Sequence, residues 1–548
     1  MAHALAGKPV QEQDIIDVQT IVDAYFDNVP DMTNPTQLVS FGTSGHRGTS
    51  VDGTFTDLHV AAITQAICDG RKQFGATGPI FVGQDTHALS QPALVTVLEV
   101  LAGNGVTAMV DCDMAFVPTP SVSRAIIRYN EEHDDKADGI IITPSHNPPD
   151  NGGIKYNTII GGPADTVVTK WIEMRANEYL TAYCESEDFK RISIDNIEPT
   201  AQVPYDYKGL YVEELGDVIN MEAIKAAGPK TLVDTLGGSG ASYWKAIKER
   251  YGLDLTIIHD DYDPTFSFMT YDHDGKVRMD CSSTYVMASV INRIGDFDLA
   301  VGNDPDYDRY GIVVSSGLIS ANIFLTLAAR YLFTTRGWKN KGVGKTVVCT
   351  TMIDKWAADA ETPVFEVPVG FKYFSQLLFD GAIGIGGEES AGASFLKKDG
   401  TVWTTDKDGM IMALLSMEIM AVMGKSALKM TDEFVEEFGN PSFGRIDAPC
   451  KKEQKQILKQ MSAELITATT VDGDPITNIR TTSLYNDMPI DGVRVETDKG
   501  WFVARPSGTE DLYKIYGESY KGDLGLVALL TAGEEIVNAA LNGTIETE

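Results

Sequence analysis

Apolar stretches of two kinds alternate along the first 400 residues of the chain. Short β-branched runs such as Ile140–Ile142 and Thr231–Asp234 suit buried strands, and longer segments such as Asp57–Phe74 and Ala241–Tyr251 suit helices. Strands that alternate with helices predict mostly parallel sheets covered by helices on both faces. The alternation restarts near residue 231 and again near residue 323. The pattern therefore predicts three α/β units of like build, without a strong residue-level repeat.

The end of the chain departs from this alternation. Three strand-like segments, Val493–Glu496, Trp501–Ala504 and Leu512–Tyr516, are joined by short turns. Short connections of this kind are typical of an antiparallel sheet, so we expect a small α+β domain here. The predicted fold is three similar α/β domains with mixed, mostly parallel sheets, plus a C-terminal α+β domain.

Chain length and the polar stretches between units set the expected domain boundaries. A chain of 548 residues is too long for one hydrophobic core and predicts three or four domains. The polar segment from Asp188 to Tyr205 looks like the first linker. We expect an N-terminal arm followed by four domains, with the boundaries 1–40, 41–205, 206–320, 321–440 and 441–548.

The arm contains one amphipathic segment. Ile15, Val18, Val22 and Phe26 recur at helical spacing, which predicts a helix with a single apolar face. We expect this face to dock on the body of the protein or on a second subunit.

Composition and charge exclude several classes of partner. Hydrophobic residues make up 43% of the chain and charged residues 22%, as in ordinary soluble proteins. The formal net charge of −33 disfavours nucleic acid and anionic membranes as partners. The six cysteines are scattered without a C-x-x-C pair, and the N-terminus lacks an apolar signal core, so we expect a cytoplasmic protein. Met410–Met423 is very apolar, but it is short and carries Glu418, which predicts a buried helix instead of a membrane span.

A proline-rich loop follows the Ile140–Ile142 strand and carries the first candidate for chemistry. Ser145 is held at the end of a strand that is apolar enough to be buried, which is where open α/β sheets bind ligands. His146 offers a proton carrier nearby, and Lys155 offers a charge that can bind phosphate. The alternative is a proline-stiffened surface loop without function.

Three carboxylates at alternating positions follow the strand Leu299–Gly302. Asp304, Asp306 and Asp308 offer the hard oxygen ligands that Mg²⁺ prefers, and they would repel one another without a cation. Arg309 is placed to hold an anion beside the metal. A solvated acidic turn is the alternative interpretation.

Three further loops combine hydroxyls, glycines and charges. The loop 41–48 places Arg47 among glycines and hydroxyls, 386–392 contains Glu388 and Ser390, and 505–510 contains Arg505. Each loop alone is equally well explained as an ordinary turn. Together with Ser145 and the three aspartates, they indicate phosphoryl transfer on a phosphosugar.

The four main loops resemble the signature loops of the α-D-phosphohexomutase superfamily. The matching motifs are Thr143-Pro144-Ser145-His146-Asn147-Pro148, Asp304-Pro305-Asp306-Tyr307-Asp308-Arg309, Gly387-Glu388-Glu389-Ser390 and Arg505-Pro506-Ser507-Gly508-Thr509. They occur in the family's order, and the resemblance covers residue 40 to the C-terminus. Within the superfamily, the sequence is most similar to bacterial phosphoglucomutases, including the arm. The resemblance implies four domains around a central cleft.

The resemblance also implies a reaction and a set of site residues. It implies interconversion of glucose 1-phosphate and glucose 6-phosphate through a phosphoserine at Ser145 and a glucose 1,6-bisphosphate intermediate. Mg²⁺ would bind the phosphate of Ser145 and three carboxylates, those of Asp304, Asp306 and Asp308. Sugar hydroxyls would be bound by Glu388 and Ser390. The non-reacting phosphate would be held by Arg505, Ser507, Gly508 and Thr509. Positive charge would come from Arg47, Arg309, Lys155 and Lys398.

Several points stay open at the level of the sequence. Either Lys155 or His146 is expected to carry the proton. The family likeness implies a homodimer and a mobile last domain. Pro305 and Tyr307 stand where many relatives have glycine, which leaves the rigidity of the metal loop open.

Other functions compete with the glucose-specific reaction. The Gly-Glu-Glu-Ser loop favours glucose, whereas members that accept mannose or glucosamine phosphates often have Gly-Glu-Met-Ser. A phosphomannomutase or phosphoglucosamine mutase is nevertheless the first alternative. A phosphosugar phosphatase and a non-catalytic sugar-phosphate binder are the others.

Overall fold

Four separate β-sheets follow one another along the chain in the computed structural model, which describes residues 2–42, 44–183, 189–506 and 512–545. Three of the sheets are mixed with a parallel centre, and the last is antiparallel throughout. This confirms the predicted fold class of three α/β domains and one α+β domain.

The first sheet has the strand order β1-β5-β4-β2-β3-β6. Strands β4, β2, β3 and β6 are parallel, and β5 and β1 run antiparallel at one edge. Its strands are β1 (His46–Thr49), β2 (Ile80–Gln84), β3 (Ala108–Asp111), β4 (Asp138–Ile142), β5 (Asn151–Asn157) and β6 (Gln202–Tyr205). The helices up to this point are α1 (Val18–Asp27), α2 (Asp57–Gly70), α3 (Ser90–Gly103), α4 (Thr119–Glu132) and α5 (Thr166–Tyr183). The predicted linker therefore ends in a strand, because β6 extends this sheet beside β3.

The second sheet repeats the parallel centre with the order β11-β10-β9-β7-β8. Its strands are β7 (Thr231–Asp234), β8 (Leu255–Ile258), β9 (Leu299–Asn303), β10 (Tyr310–Val314) and β11 (Gly317–Leu318). Its helices are α6 (Tyr207–Val218), α7 (Met221–Ala227), α8 (Ala241–Tyr251) and α9 (Ala288–Ile291). Short 3₁₀ helices lie at Glu12–Asp14, Pro35–Gln37, Ile194–Asn196, Pro199–Ala201, Ile294–Asp296 and Ala463–Leu465.

The third sheet, in the order β13-β12-β14-β15, shares one hydrophobic core with the second domain. Its strands are β12 (Gly342–Thr346), β13 (Val364–Val367), β14 (Ile383–Gly387) and β15 (Ala393–Phe395). Its helices are α10 (Ala321–Arg336), α11 (Met352–Asp359), α12 (Lys372–Phe379), α13 (Gly409–Met423) and α14 (Ala427–Phe438). The first eleven residues of α13 are buried in the shared core, as its apolar sequence predicts.

The last sheet has the order β16-β21-β20-β19-β18-β17. Its strands are β16 (Ser442–Pro449), β17 (Thr470–Val471), β18 (Asp474–Thr482), β19 (Pro489–Thr497), β20 (Gly500–Pro506) and β21 (Leu512–Ser519), and its helices are α15 (Lys452–Lys459) and α16 (Gly522–Ile545).

Within the described ranges, one helix is long and apolar enough to cross a membrane, Gly522–Asn542 in α16, and the pair α13–α14, which is bent by 85°, would be a second if it formed one span. In the structure, Leu529, Val537 and Leu541 of α16 are buried against the last sheet. Both segments therefore pack as core helices of their domains.

The arm joins the first two domains, but its helix uses a different face from the predicted one. Ile21 and Tyr25 are the buried residues of α1, whereas Ile15 and Phe26 are 37% and 54% exposed. The reason is that the helix begins only at Val18, so Ile15 precedes it. Phe26 follows Tyr25 by one residue, which turns it about 100° away from the buried face.

Residues before α1 pair with the second domain. Val10 N donates to Met269 O, Gly7 N to Tyr271 O, and His3 N to His273 O, at 3.0, 2.8 and 2.8 Å. The arm thus spans from the second domain to the first.

Candidate active site

Ser145 and the three aspartates meet between the first and second sheets. Ser145 follows β4 and Asp304 follows β9, and each strand is fully buried. Ser145 Oγ donates a hydrogen bond of 2.9 Å to Asp304 Oδ2. The carboxyl ends of two central strands therefore face each other, which places both loops in one cleft.

The serine loop is compact because glycine lies beneath it. An ideal Cβ on Gly153 would lie 2.2 Å from Thr143 O, so only glycine allows β5 to pass this close. Ser145 itself is 1% exposed and has a φ of 61°, which is in the left-handed region. The backbone of Ser145 thus has a conformation that non-glycine residues seldom adopt, and this conformation sets the direction of the hydroxyl.

Asp304, Asp306 and Asp308 lie close together in the fully buried part of the cleft. One carboxylate oxygen from each lies within 4.8 Å of the others. Burial, together with repulsion from Asp306 and Asp308, raises the pKa of Asp304 well above its usual range. The second oxygens, Oδ1 of Asp306 and Oδ1 of Asp308, have no hydrogen-bond partner among the residues that the structure describes. Unpartnered carboxylate oxygens at this spacing fit a divalent cation such as Mg²⁺.

The loop that carries the aspartates packs closely against the turn before α8. The buried ring of Tyr307 packs against Gly240, where an ideal Cβ would lie 2.4 Å from the ring. Ser239 donates to Pro305 O from both its backbone N and its Oγ, each at 2.8 Å. Pro305 and Tyr307 therefore attach the loop to the turn before α8.

Lys155 crosses from the first domain to the acidic cluster. Its Nζ lies 2.6 Å from Asp306 Oδ2 and 3.1 Å from Asp308 Oδ2. Burial opposes the charge, but the two carboxylates outweigh it and raise the pKa of Lys155. Lys155 is thus a fixed cation between the domains.

His146 and the arginines complete this part of the cleft. His146 Nδ1 lies 3.3 Å from Ser145 Oγ, and burial followed by the charge of Arg309 lowers the pKa of His146 well below its usual value. Arg309 donates to Asp280 Oδ2 at 3.3 Å. Arg47 is half-buried beside the serine loop, 3.4 Å from Asn147 Oδ1. The structure thus places Arg47, His146 and Arg309 around Ser145.

The loop after β14 brings a carboxylate to the same cleft. Glu388 is 6% exposed and accepts a hydrogen bond from Gly370 N at 3.1 Å. Burial raises the pKa of Glu388 to about 7, and the charge of Lys407 opposes that shift. Ser390 is half-buried two residues further along.

Arg505, at the end of β20, belongs to the last domain. Its Nε donates to Ile490 O at 2.9 Å, and its charge opposes the rise that burial causes in the pKa of Glu389, in the loop after β14. Ser507, Gly508 and Thr509 lie outside the residues that the structure describes.

Comparison with known proteins identifies the family. The models of the phosphoglucomutase/phosphomannomutase family match as α/β/α domains I, II and III at residues 38–182, 210–317 and 320–438, and as the C-terminal domain at 447–524. A phosphoglucomutase of Komagataeibacter xylinus is 46% identical over 539 residues, 97% of each chain. This chain belongs to the phosphoglucomutase/phosphomannomutase family. It is an enzyme of the phosphohexomutase superfamily, as the motifs implied.

More distant relatives agree with this assignment. Phosphoglucomutase 1 of Saccharomyces cerevisiae is 27% identical over 526 residues, 88% of each chain. The solved structure of a putative phosphomannomutase from Thermus thermophilus has a TM-score of 0.72 at 23% identity and covers 91% of this chain and 99% of that one. At that identity, the structure supports the fold alone.

Lys398, one of the predicted cations, lies away from the acidic cluster. Lys398 is exposed and donates to Gly216 O at 2.5 Å, so it does not join the acidic cluster. The reason is strand direction: β14 ends at the cleft, and the antiparallel β15 leads the chain away from it before Lys398 is reached.

Lys407 occupies the position that the sequence analysis gave to Lys398. After the turn that contains Lys398, the chain returns to the cleft, and Lys407 Nζ lies 2.8 Å from Asp308 Oδ2. The signal that could have revealed it is the cluster Asp406-Lys407-Asp408, which stands directly before the most apolar helix of the chain. Charges at that point must be paired within the fold.

Proposed function

We propose that this enzyme interconverts α-D-glucose 1-phosphate and glucose 6-phosphate. The observation that carries the proposal is the hydrogen bond of 2.9 Å from the buried Ser145 Oγ to Asp304, beside two carboxylates with unpartnered oxygens. A hydroxyl next to a cation site is the arrangement that phosphoryl transfer requires. The similarity to a phosphoglucomutase over nearly the whole chain supports glucose as the sugar.

The reaction uses Ser145 as the carrier of a phosphoryl group. In the first transfer, the P–O bond to Ser145 Oγ breaks, a new P–O bond forms to the free sugar hydroxyl, the hydroxyl proton passes to a base, and Ser145 Oγ takes up a proton. The resulting glucose 1,6-bisphosphate turns around in the cleft. In the second transfer, the P–O bond of the other phosphoryl group to the sugar breaks and a P–O bond to Ser145 Oγ forms. The Oγ proton passes to a base, the sugar oxygen takes up a proton, and the second sugar phosphate is released.

Asp304, Asp306, Asp308 and the phosphate of Ser145 would hold Mg²⁺. When bound, Mg²⁺ neutralises negative charge on the phosphoryl group. Lys155 and Lys407 add fixed positive charge, because each contacts Asp308 at 3.1 and 2.8 Å. Local cations are necessary here, since the net charge of −33 would repel a phosphorylated substrate.

Two groups remain candidates for the proton carrier. His146 Nδ1 lies 3.3 Å from Ser145 Oγ, whereas Lys155 Nζ donates to Asp306 and would have to release its own proton before it could accept another. Turnover of His146→Gln and Lys155→Met as a function of pH distinguishes them, because only the loss of the base removes a limb of the profile.

The sugar and the second phosphate have their own groups. Glu388 and Ser390 would bind sugar hydroxyls in both orientations of the intermediate. Arg505, with Ser507, Gly508 and Thr509, would hold the phosphate that does not react. Arg505 supports this role because its guanidinium, oriented by the hydrogen bond from Nε to Ile490 O, is the kind of group that binds phosphate.

The experiment compares the wild type with Ser145→Ala on glucose 1-phosphate, coupled to glucose-6-phosphate dehydrogenase, with Mg²⁺ and a trace of glucose 1,6-bisphosphate. We expect turnover by the wild type and none by the variant. Mannose 1-phosphate and glucosamine 1-phosphate are assayed in parallel, because comparable turnover on either would favour the alternative mutases. Release of inorganic phosphate that matches substrate loss would make the enzyme a phosphatase instead.

A further inference from the structure

The backbone around Ser145 is held by hydrogen bonds on both sides of the serine. Its own N–H donates to Thr143 Oγ1 at 2.8 Å. Two residues after the serine, Asn147 O accepts from His87 Nε2 at 3.0 Å. The left-handed φ of Ser145 is therefore braced by two side chains that lie outside the phosphoryl-transfer groups described above.

Both braces converge on one buried carboxylate, that of Asp85 at the end of β2. Thr143 Oγ1 donates to Asp85 Oδ2 at 2.6 Å, and His87 Nδ1 lies 2.8 Å from the same oxygen. Ser90 Oγ donates to Asp85 Oδ1 at 2.5 Å, and His87 N donates to it at 3.0 Å. Asp85 is 0% exposed and His87 is 1% exposed, so this network is closed to solvent.

The partners determine the protonation of the network. Asn147 O can only accept, so His87 Nε2 carries a hydrogen. Asp85 faces donors on both oxygens, which is the environment of an ionised carboxylate, and His87 Nδ1 then also carries a hydrogen. His87 is thus a cation paired with Asp85, and the carboxylate raises the pKa of His87 against the effect of burial.

Residues of the second domain contact both His87 and the serine loop. The ring of Phe266 lies 5.0 Å from the ring of His87, between centroids. His146 O accepts from Met279 N at 3.1 Å, within the same excursion of the chain between β8 and β9. The serine loop is therefore fixed between the Asp85–His87 pair and the domain that carries the aspartates.

We propose that Asp85, His87 and Thr143 are positioning residues for the phosphoryl carrier Ser145. They keep the serine backbone left-handed, and this backbone aims Oγ at the acidic cluster. The inference rests on the proposed function for its effect on turnover, whereas its effect on the serine loop is independent of that function.

A pair of isosteric substitutions tests the proposal. Thr143→Val removes both hydrogen bonds of the Thr143 hydroxyl and keeps the volume of the side chain. Thr86→Val is the matched control, because Thr86 is also buried beside Asp85 and its hydroxyl has no hydrogen-bond partner in the described part of the chain. Thr143→Ser restores the hydroxyl, and His87→Leu tests the second brace should Thr143→Val fail to fold.

We expect kcat for glucose 1-phosphate to fall about 100-fold in Thr143→Val, because small displacements of a reacting group have effects of this size. KM should stay within about twofold, since the proposed sugar and phosphate contacts lie on other loops. Phosphorylation of Ser145 by glucose 1,6-bisphosphate, followed by intact mass, should slow by the same factor. Thr143→Ser and Thr86→Val should remain near the wild type, and His87→Leu should resemble Thr143→Val.

Hydrogen exchange of peptides that cover residues 140–150 provides a readout separate from activity. Exchange should accelerate in Thr143→Val and His87→Leu and stay unchanged in Thr86→Val. A kcat of Thr143→Val equal to that of Thr86→Val, with unchanged exchange, overturns the positioning role while the proposed function stands. If the wild type shows no mutase turnover but exchange accelerates in Thr143→Val, the proposed function is overturned. The support of the serine loop by these residues then still stands.

Discussion

Lys407 Nζ lies 2.8 Å from Asp308 Oδ2. This ion pair connects the segment directly before α13 to the loop that follows β9. Asp308 is buried, and Lys155 contacts the same oxygen at 3.1 Å. The two lysines come from the first and third domains, while the carboxylate belongs to the second. One carboxylate oxygen therefore connects three domains at the centre of the cleft.

Lys407→Met should lower kcat/KM by about 100-fold, equivalent to about 2.7 kcal/mol. The reason is that the substitution leaves a buried carboxylate with one cation fewer and weakens the positive field for phosphate. Kinetics with glucose 1-phosphate measure the loss. Lys398→Met is the control, since an exposed lysine that contacts one carbonyl should change kcat/KM by no more than about twofold. Equal losses in the two variants would contradict the position that we assign to Lys407.

Asp306→Asn should abolish Mg²⁺-dependent turnover while the protein stays folded. The substitution removes a charged oxygen from the cluster but keeps the shape of the side chain, so Thr119 and Lys155 retain a neighbour of the same size. Turnover across a range of Mg²⁺ concentrations and Mg²⁺ binding by calorimetry measure the effect. Asp113→Asn, in an exposed acidic group, should leave both unchanged. Near-normal activity of Asp306→Asn would refute the metal assignment.

Gly409→Ala should displace the aspartate loop. Gly409 begins α13 and donates from its N to Tyr307 O at 2.9 Å, and an ideal Cβ would lie 2.0 Å from Arg309 O. Overpacking of this kind costs about 1–3 kcal/mol, so the melting temperature should fall. The Mg²⁺ concentration that gives half-maximal turnover should rise, because the aspartates are displaced. Gly295→Ala provides the control, because its Cβ would meet nothing within 4 Å. A crystal structure of Gly409→Ala with an unmoved Arg309 would contradict the expectation.

The sequence predicts the parts of this site that depend on strand ends. Ser145 and Asp304 each follow a buried strand, and open α/β sheets bind their ligands at the carboxyl ends of such strands. The four-domain architecture is predictable for the same reason, since each unit repeats the alternation of strand and helix or breaks it with short turns.

The features that the sequence does not predict depend on the path of the chain between elements and on which segments come into contact. Lys398 and Lys407 both follow the loop after β14 closely in sequence, and the antiparallel direction of β15 decides which one reaches Asp308. The buried face of α1 depends on where the helix begins and on its partner, and spacing alone does not reveal either. The support of Ser145 by Asp85 likewise joins residues that lie on separate strands.

Glu388→Gln should make the metal-free enzyme more stable at alkaline pH. Burial, against the charge of Lys407, raises the pKa of Glu388 to about 7 from an ordinary value of 4.5. The folded protein therefore holds a proton that the unfolded chain has released between these two pH values. The contribution of Glu388 to stability then falls as the pH rises through this window and is lowest above pH 7. Glutamine carries no such proton and can still accept the hydrogen bond from Gly370 N.

Thermal melts of wild type and Glu388→Gln in EDTA, from pH 5.5 to pH 8.5, measure this difference. The variant should gain stability relative to the wild type as the pH rises and level off above pH 7, with a gain of about 2 kcal/mol between pH 5.5 and pH 8.5. Glu222→Gln, at an exposed position, should show no such trend. Glu388→Gln should also lose turnover if Glu388 binds sugar hydroxyls. The reason is that the carboxylate that lowers stability is the same group that accepts hydrogen bonds from these hydroxyls. A stability difference that is constant with pH would show that Glu388 is ionised in the free enzyme throughout this range, and it would contradict the link between its burial and its function.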